Sequence, residues 1–182
     1  VEVVHGGSIT ADVNFGAGIS ASSTGAPFSS SDAYTSVGND VHVTVSDTGK
    51  IAVNTQDNSQ SNIGVGVLAV SDGFVPETAK SDTNITGGAV KVTLDQASDP
   101  SDTSSTIQVG NDNTKLGIGV LAISSGSGGG LSLYSESLVS SKGNDGSGGA
   151  VTVDSSRAIE TKGEMSIGIA ALSLGGQNAV TT

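Results

Sequence analysis

A short motif that recurs along the chain is the feature that most constrains its fold. The motif, Gly-[Ile/Val]-x-Ala-x-Ser-x-Gly, occurs four times in the 182 residues, at intervals of about 50 residues. Its second position is occupied by Ile19, Val67, Val120 and Ile169. Self-similarity at a fixed period is typical of repeat proteins, in which each repeat packs against its neighbours.

Two further apolar runs precede each copy of the motif. In the first run, as in Val41–Val45, valines alternate with polar residues such as His42. This period of two is that of a strand with one buried face. The second run is centred on Ile9, Ile51, Ile107 and Ile159. Turn-forming residues separate the runs, as at Gly38-Asn39-Asp40 and Gly110-Asn111-Asp112, because Gly and Asn tolerate a positive φ.

Three strands per repeat, without a helical period, predict an all-β fold. We expect a parallel β-helix, or β-solenoid, with about four repeats of roughly 50 residues, three short strands each and variable loops. It would be a single unit over 1–182, with repeats at approximately 1–40, 41–88, 89–149 and 150–182. A β-sandwich also suits many short strands and glycines, but it does not predict near-identical strand triplets at a fixed period.

Stacked repeats would bring equivalent residues into columns, with strands about 4.8 Å apart. The columns predicted to face inward are Ile19-Val67-Val120-Ile169, Ala21-Ala69-Ala122-Ala171 and Val3-Val43-Val92-Val153. At one corner, Ser23, Ser71, Ser124 and Ser173 are predicted to form a hydroxyl ladder.

Composition favours repetition over a thick globular core. The chain has 27 glycines, three Phe, two Tyr and no Trp, so it lacks most of the aromatic area that builds ordinary cores. Disorder is the alternative for a Gly/Ser-rich, acidic chain, but the grouping of apolar residues into recurring runs argues against it. The sequence begins at Val1 without a signal peptide, which favours an excised segment of a longer protein.

Net charge narrows the range of partners. Acidic residues outnumber basic ones by 18 to 7, for a net charge of −11. This balance argues against nucleic acid, which is bound through Lys and Arg, and against an anionic membrane surface. No apolar run approaches the roughly 18 residues that span a bilayer, so we expect no direct membrane insertion of this segment. The absence of cysteine excludes disulfides and thiolate metal sites.

The sequence offers no constellation of catalytic residues. Arg157 is the only arginine, and His5 and His42 lie in different runs without a metal-ligand spacing. The glycine-rich stretch 126–130 lacks the Lys-Ser/Thr of a phosphate loop. Residues 143–149 resemble one imperfect copy of a calcium-binding repeat that works in tandem. We therefore predict no enzyme activity, no cofactor and no metal site.

Binding is predicted on the outside of the stack. A segment of variable length follows each motif (26–38, 74–87 and 127–148), and it either protrudes as a loop or holds a further strand. The motif strand is apolar on its outward positions too, as at Leu68 and Leu121. That face needs cover from these segments or from a partner. The predicted partner-binding residues are Phe28, Tyr34, Phe74, Tyr134, Leu68 and Leu121. Alternatively, the aromatic residues pack over the leucines as their cover.

The repeated motif, with Gly-Ala-Val-x-Val after it at Gly88–Val92 and Gly149–Val153, resembles the passenger repeats of large bacterial autotransporter adhesins. The resemblance covers essentially the whole chain, although its glycine runs are shorter than those of the family, and Ser173-Leu174-Gly175-Gly176 is the nearest copy. It implies secretion to the bacterial cell surface, through an outer-membrane barrel that this segment does not contain. It transfers no catalytic residue.

The expected function is that of a surface-exposed adhesin passenger segment in cell adhesion, self-association or biofilm formation. The expected partner is a host or neighbouring-cell surface protein or glycan. A purely structural stalk that displays a functional tip is the first alternative, and an exported polysaccharide-active enzyme is the second.

Overall fold

The chain is all-β in the part that the computed structural model describes, which comprises residues 1–25, 28–30, 33–56, 62–73, 83–96, 106–126 and 146–175. No helix occurs in these ranges. The strands, in chain order, are β1 (Glu2–His5), β2 (Ser8–Val13), β3 (Phe15–Thr24), β4 (Phe28–Ser30), β5 (Ala33–Val37), β6 (Val41–Val45), β7 (Lys50–Thr55), β8 (Ile63–Asp72), β9 (Thr83–Thr86), β10 (Val90–Leu94), β11 (Ile107–Val109), β12 (Leu116–Ser125), β13 (Gly146–Ser147), β14 (Val151–Ser155), β15 (Ile159–Thr161) and β16 (Met165–Leu174).

Each of the first three sheets takes one strand from every sequence repeat. Their orders are β1-β6-β10-β14, β2-β7-β11-β15 and β3-β8-β12-β16. All neighbouring strands within them are parallel. Parallel strands require long crossovers, and here the crossover is the rest of the repeat.

The register of these sheets follows the sequence repeats residue by residue. The first sheet aligns Val3, Val43, Val92 and Val153. The second aligns Ile9, Ile51, Ile107 and Ile159. The third aligns Ala21, Ala69, Ala122 and Ala171. Because a slip of one residue turns every side chain to the opposite face, this match confirms the column assignments made from the sequence.

The fourth sheet corrects the prediction of three strands per repeat. Its order is β4-β5-β9-β13, and its strands lie in the variable segments. The β5, β9 and β13 strands pair in parallel, whereas β4 and β5 form an antiparallel pair. The variable segments therefore hold a further strand, which was one of the two alternatives. Most of the third variable segment, including the alternating stretch 131–134, lies outside the described residues.

The interior of the first three sheets is lined almost entirely by Val, Ile, Leu and Ala. Val43, Val67, Val92 and Val120 are completely buried. The predicted inward column of Ile19, Val67, Val120 and Ile169 is less buried at its last member. Ile169 lies on β16, which pairs with only one described strand. Ile169 is consequently 44% exposed.

The glycine that opens each of the first three motifs lies against an isoleucine of the following repeat. A Cβ added at this glycine would come within 3.0 Å of the isoleucine Cγ2. The pairs are Gly18 with Ile51, Gly66 with Ile107 and Gly119 with Ile159. The motif therefore requires glycine at these three positions for close approach, since a larger side chain would displace the second sheet.

The serine column joins the corners of successive repeats through the main chain. Ser71 Oγ donates to the Asn39 carbonyl (2.8 Å) and accepts from the Gly88 N–H (2.9 Å). Ser124 Oγ donates to the Gly88 carbonyl (2.7 Å) and accepts from the Gly149 N–H (2.7 Å). The predicted hydroxyl ladder thus runs through backbone groups rather than from serine to serine. Each hydroxyl satisfies one N–H and one C=O that would otherwise lie unpaired at the corner.

Candidate functional site

A second apolar cluster lies on the outer side of the third sheet, separate from the interior. We call it the outer apolar face. Its members are Ala17, Ile63, Val65, Leu68, Val70, Leu116, Ile118, Leu121, Ile123, Ile167, Ala170, Leu172 and Leu174.

The outer apolar face depends on a shift in strand alternation at the motif glycine. In β8, a Cβ on Gly66 would point at interior side chains, and the next residue, Val67, is also buried in the interior. Two successive inward positions put Val65 and Leu68 on the same outer side. The strand therefore has apolar residues on both faces, with Val67 and Ala69 in the interior and Val65, Leu68 and Val70 outside.

The outer face changes in character from the first repeat to the others. One row aligns Ser20, Leu68, Leu121 and Ala170. The next row aligns Ser22, Val70, Ile123 and Leu172. In these two rows the first repeat is thus polar and exposed where the second to fourth are apolar, although Ala17 of the first repeat also belongs to the face.

Burial differs strongly between the two leucines predicted to contact a partner. Leu68 and Leu121 are direct cross-strand partners, so the structure brings them together. Leu68 is half-buried, whereas Leu121 is 1% exposed, as is Ile123 beside it. The middle of the outer apolar face is therefore packed within the single chain, and its accessible part lies on β8 and β16.

The structure describes only part of the four aromatic residues that are predicted to bind a partner. The backbones of Phe28 and Tyr34 belong to the β4–β5 pair in the fourth sheet. Their side chains lie outside the described part of the structure, and Phe74 and Tyr134 lie outside it altogether. Their contact with the outer apolar face remains a prediction.

Sequence reasoning missed a carboxyl group at the edge of this face. Asp72 ends β8, in register with Thr24 and Ser125 on the neighbouring strands. Burial raises the pKa of Asp72 from 3.8 to about 6, although a hydrogen bond with Ser125 opposes the shift. Its Oδ1 atom is buried without a hydrogen-bond partner. The sequence did contain a signal for it. Asp72 directly follows Ser71, which faces inward, so the alternation of the strand places the Asp72 side chain on the outer side.

The other outward faces carry exposed charges in pairs. Lys115 Nζ lies 2.6 Å from Glu164 Oε1, and Lys91 Nζ lies 3.8 Å from Asp154 Oδ2. Exposed pairs of this kind contribute little to stability. Among the described residues, no group of three or more His, Cys, Asp or Glu is placed to hold a metal ion.

Arg157, the only arginine, has a structural contact. Its Nη1 atom donates to the main-chain carbonyls of Asp47 (2.8 Å) and Gly49 (3.3 Å) at the corner between β6 and β7. The guanidinium thus links the fourth sequence repeat to the second.

Comparison of the chain with protein-family models, with curated proteins and with solved structures finds no match. The described ranges also contain no helix that is long and apolar enough to cross a membrane.

Proposed function

We propose that the chain is a parallel β-solenoid of four repeats and that it serves as a surface-exposed adhesin passenger segment. The observation that carries this proposal is the contrast between the two sides of the third sheet. Inside, successive repeats present the same residue types in one register. Outside, the same strands change from Ser20 and Ser22 to Leu68 and Val70. Stacking accounts for the inner columns and leaves the partly exposed outer positions, such as Leu68 and Val70, available for function.

The outer rows have the chemistry of a protein-binding surface. Leu68 and Val70 are half-buried aliphatic side chains on a regular sheet, and contiguous apolar surface of this kind marks interaction sites on soluble proteins. A sheet holds such residues rigidly, so little conformational entropy is lost on binding. The partner is a host or neighbouring-cell surface protein, or a glycan, and binding would serve cell adhesion, self-association or biofilm formation.

The proposed location is the bacterial cell surface. It is supported by the resemblance of the repeats to autotransporter passengers. A net charge of −11 keeps such a surface protein soluble.

Binding of the labelled chain to bacterial cells, host cells and a glycan array tests the proposal. Leu68→Ser together with Val70→Ser should weaken binding at least tenfold, since two apolar contacts are lost. His42→Ser, on the exposed side of the first sheet, is the matched control and should bind as the unchanged chain does. Circular dichroism and the urea midpoint must show that each variant is folded. Undiminished binding by the folded double variant would contradict the proposal.

A purely structural stalk is the second candidate function, and one observation favours it. Leu121 and Ile123 are covered within the single chain, so the centre of the outer apolar face serves packing. A stalk would bind no cell and no glycan in these assays, while a longer piece of the parent protein would bind through another region.

A further inference from the structure

One ionisable side chain lies at the edge of the outer apolar face. Among the described strands of the third sheet, β3, β8, β12 and β16, the only charged residue is Asp72, which ends β8. The described strands of the fourth sheet contain no charged residue. The carboxyl group therefore finds no cation on the described strands beside it.

Asp72 lies on the same side of β8 as the two half-buried residues of the face. Leu68, Val70 and Asp72 are alternate residues of one strand, so their side chains point to one side, with successive positions about 6.6 Å apart. The neighbouring strands carry the neutral Thr24 and Ser125 in the row of Asp72. The acid thus occurs in a repeat whose outer side chains remain partly exposed.

The carboxyl group of Asp72 is poorly solvated. Its Oδ1 atom is buried without a hydrogen-bond partner. A hydrogen bond with the Ser125 side chain stabilises the charged form, but burial outweighs that bond and raises the pKa of Asp72 to about 6. Removal of further water from this carboxyl group would raise its pKa again, because desolvation disfavours the ionised form.

A partner seated on Leu68 and Val70 would remove this water. A specific interface buries about 800 Å² on each partner, which is far more than two aliphatic side chains present. The interface would therefore extend over Asp72, which occupies the next outward position of β8. Covering an ionised carboxylate that has no cation beside it is costly, whereas the protonated form is neutral and is covered more easily.

We propose that the outer apolar face binds its partner together with one proton, which is taken up by the Asp72 carboxyl group. This inference rests on the proposed function, since it concerns the same face, and it adds the regulation of that face by pH. The bound state holds a proton that the free chain has largely lost at pH 7. Affinity is therefore highest in mild acid and falls as the pH rises.

The size of the effect follows from the fraction of the free chain that carries the proton. With a free-state pKa of about 6, that fraction falls about 30-fold between pH 5 and pH 7.5. The affinity falls by the same factor if only the protonated form binds. Partial cover of the carboxyl group gives a smaller effect, and we expect a loss of about threefold or more.

Binding of the neutral apolar dye Nile red to the folded chain at pH 5 and pH 7.5 tests the proposal. The dye carries no charge over this range, so a change in its dissociation constant reports a change in the protein. It should bind about threefold or more tightly at pH 5. Leu68→Ser together with Val70→Ser should abolish this binding if the dye occupies the face. Circular dichroism at both pH values must show that each variant is folded.

Asp72→Asn should bind the dye equally at both pH values, with the affinity that the unchanged chain has at pH 5, because the amide is neutral throughout. This variant retains both histidines, which also titrate in this range, so it separates their effect from that of Asp72. Asp154→Asn is the matched control. The Asp154 carboxyl group is exposed on the first sheet and lies 3.8 Å from Lys91 Nζ, so this variant should keep the full pH dependence.

Three results with the dye would each overturn the proposal: no binding at either pH, binding that does not change with pH, or a pH dependence that persists in Asp72→Asn. Cell or glycan binding that requires Leu68 and Val70 but does not change with pH would also overturn it, and would leave the proposed function standing. Dye binding with the expected pH dependence, but without any binding to cells or glycans, would contradict the proposed function and support proton uptake by Asp72.

Discussion

Alanine at a motif glycine tests how closely the second and third sheets approach. In Gly66→Ala, the new Cβ would lie within 3.0 Å of Ile107 Cγ2 and 2.5 Å from the Gly119 carbonyl oxygen. Overpacking of this kind costs about 1–3 kcal/mol. The lower backbone entropy of the unfolded alanine chain offsets about 0.4–1 kcal/mol of that cost. We expect a net destabilisation of about 1–2 kcal/mol.

Gly168→Ala is the matched control, because it changes the same motif position where no described atom lies within 4 Å. Only the entropic gain applies there, so stability should rise by about 0.4–1 kcal/mol. With a urea m-value of about 2 kcal/mol/M, the midpoint of Gly66→Ala should fall by about 0.5–1 M and that of Gly168→Ala should rise slightly. Equal midpoints for the two variants would refute the close contact between the motif glycine and the isoleucine of the next repeat.

Two further predictions concern polar groups in the third sheet. The folded-state pKa of Asp72, about 6, lies above its ordinary value of 3.8, so the folded state binds more protons between these values and stability falls as pH rises through this window. Asp72→Asn should remove that dependence and stabilise the protein at pH 7 by about 1 kcal/mol, since solvent screens part of the penalty; an unchanged pH profile of the urea midpoint would count against it. Ser124→Ala leaves a buried N–H and C=O unpaired and should cost about 2–3 kcal/mol. The same change at the exposed Ser173, whose hydroxyl donates to the Gly149 carbonyl, should cost less than about 1 kcal/mol; equal thermal shifts would show that the corner hydroxyl is dispensable.

The interior could be predicted from the sequence because its columns repeat. Val67 and Val120 occupy the same position of the same motif, and the structure pairs and buries them. Their neighbours on the adjacent strands are also Val or Ile. The recurring motif was therefore sufficient to predict which residues pack together in the interior. The Gly-Asn-Asp stretches were harder to interpret. Gly110 does adopt a positive φ of 81°, but Gly38 serves close approach, with the Ser71 hydroxyl 2.6 Å from the position of its Cβ.

The fourth sheet and the outer site could not be predicted in the same way. The strand Gly146–Ser147 is too short to show an alternating pattern. It pairs with Ile85 and Thr86, which are far from it in the sequence, so no local pattern indicates the pairing. Gly66 and Val67 are neighbours in sequence and both face the interior. They therefore interrupt the alternation of inward and outward residues that identifies a strand in the sequence. For this reason the recurring motif begins only at Gly66, whereas β8 begins at Ile63.

The motif glycine also explains how a chain so poor in aromatic residues can bury its interior with aliphatic side chains alone. With no side chain on Gly66, Ile107 approaches the β8 backbone closely, and aliphatic side chains such as Ile107 and Val109 fill the space between the second and third sheets. A Phe or Trp in place of Ile107 would force these sheets apart in its own repeat. It would also misalign the Ser124 hydroxyl, which must reach backbone groups of two successive corners. The glycine and serine columns therefore fix the spacing together, and substitutions that alter function are expected on the outer rows.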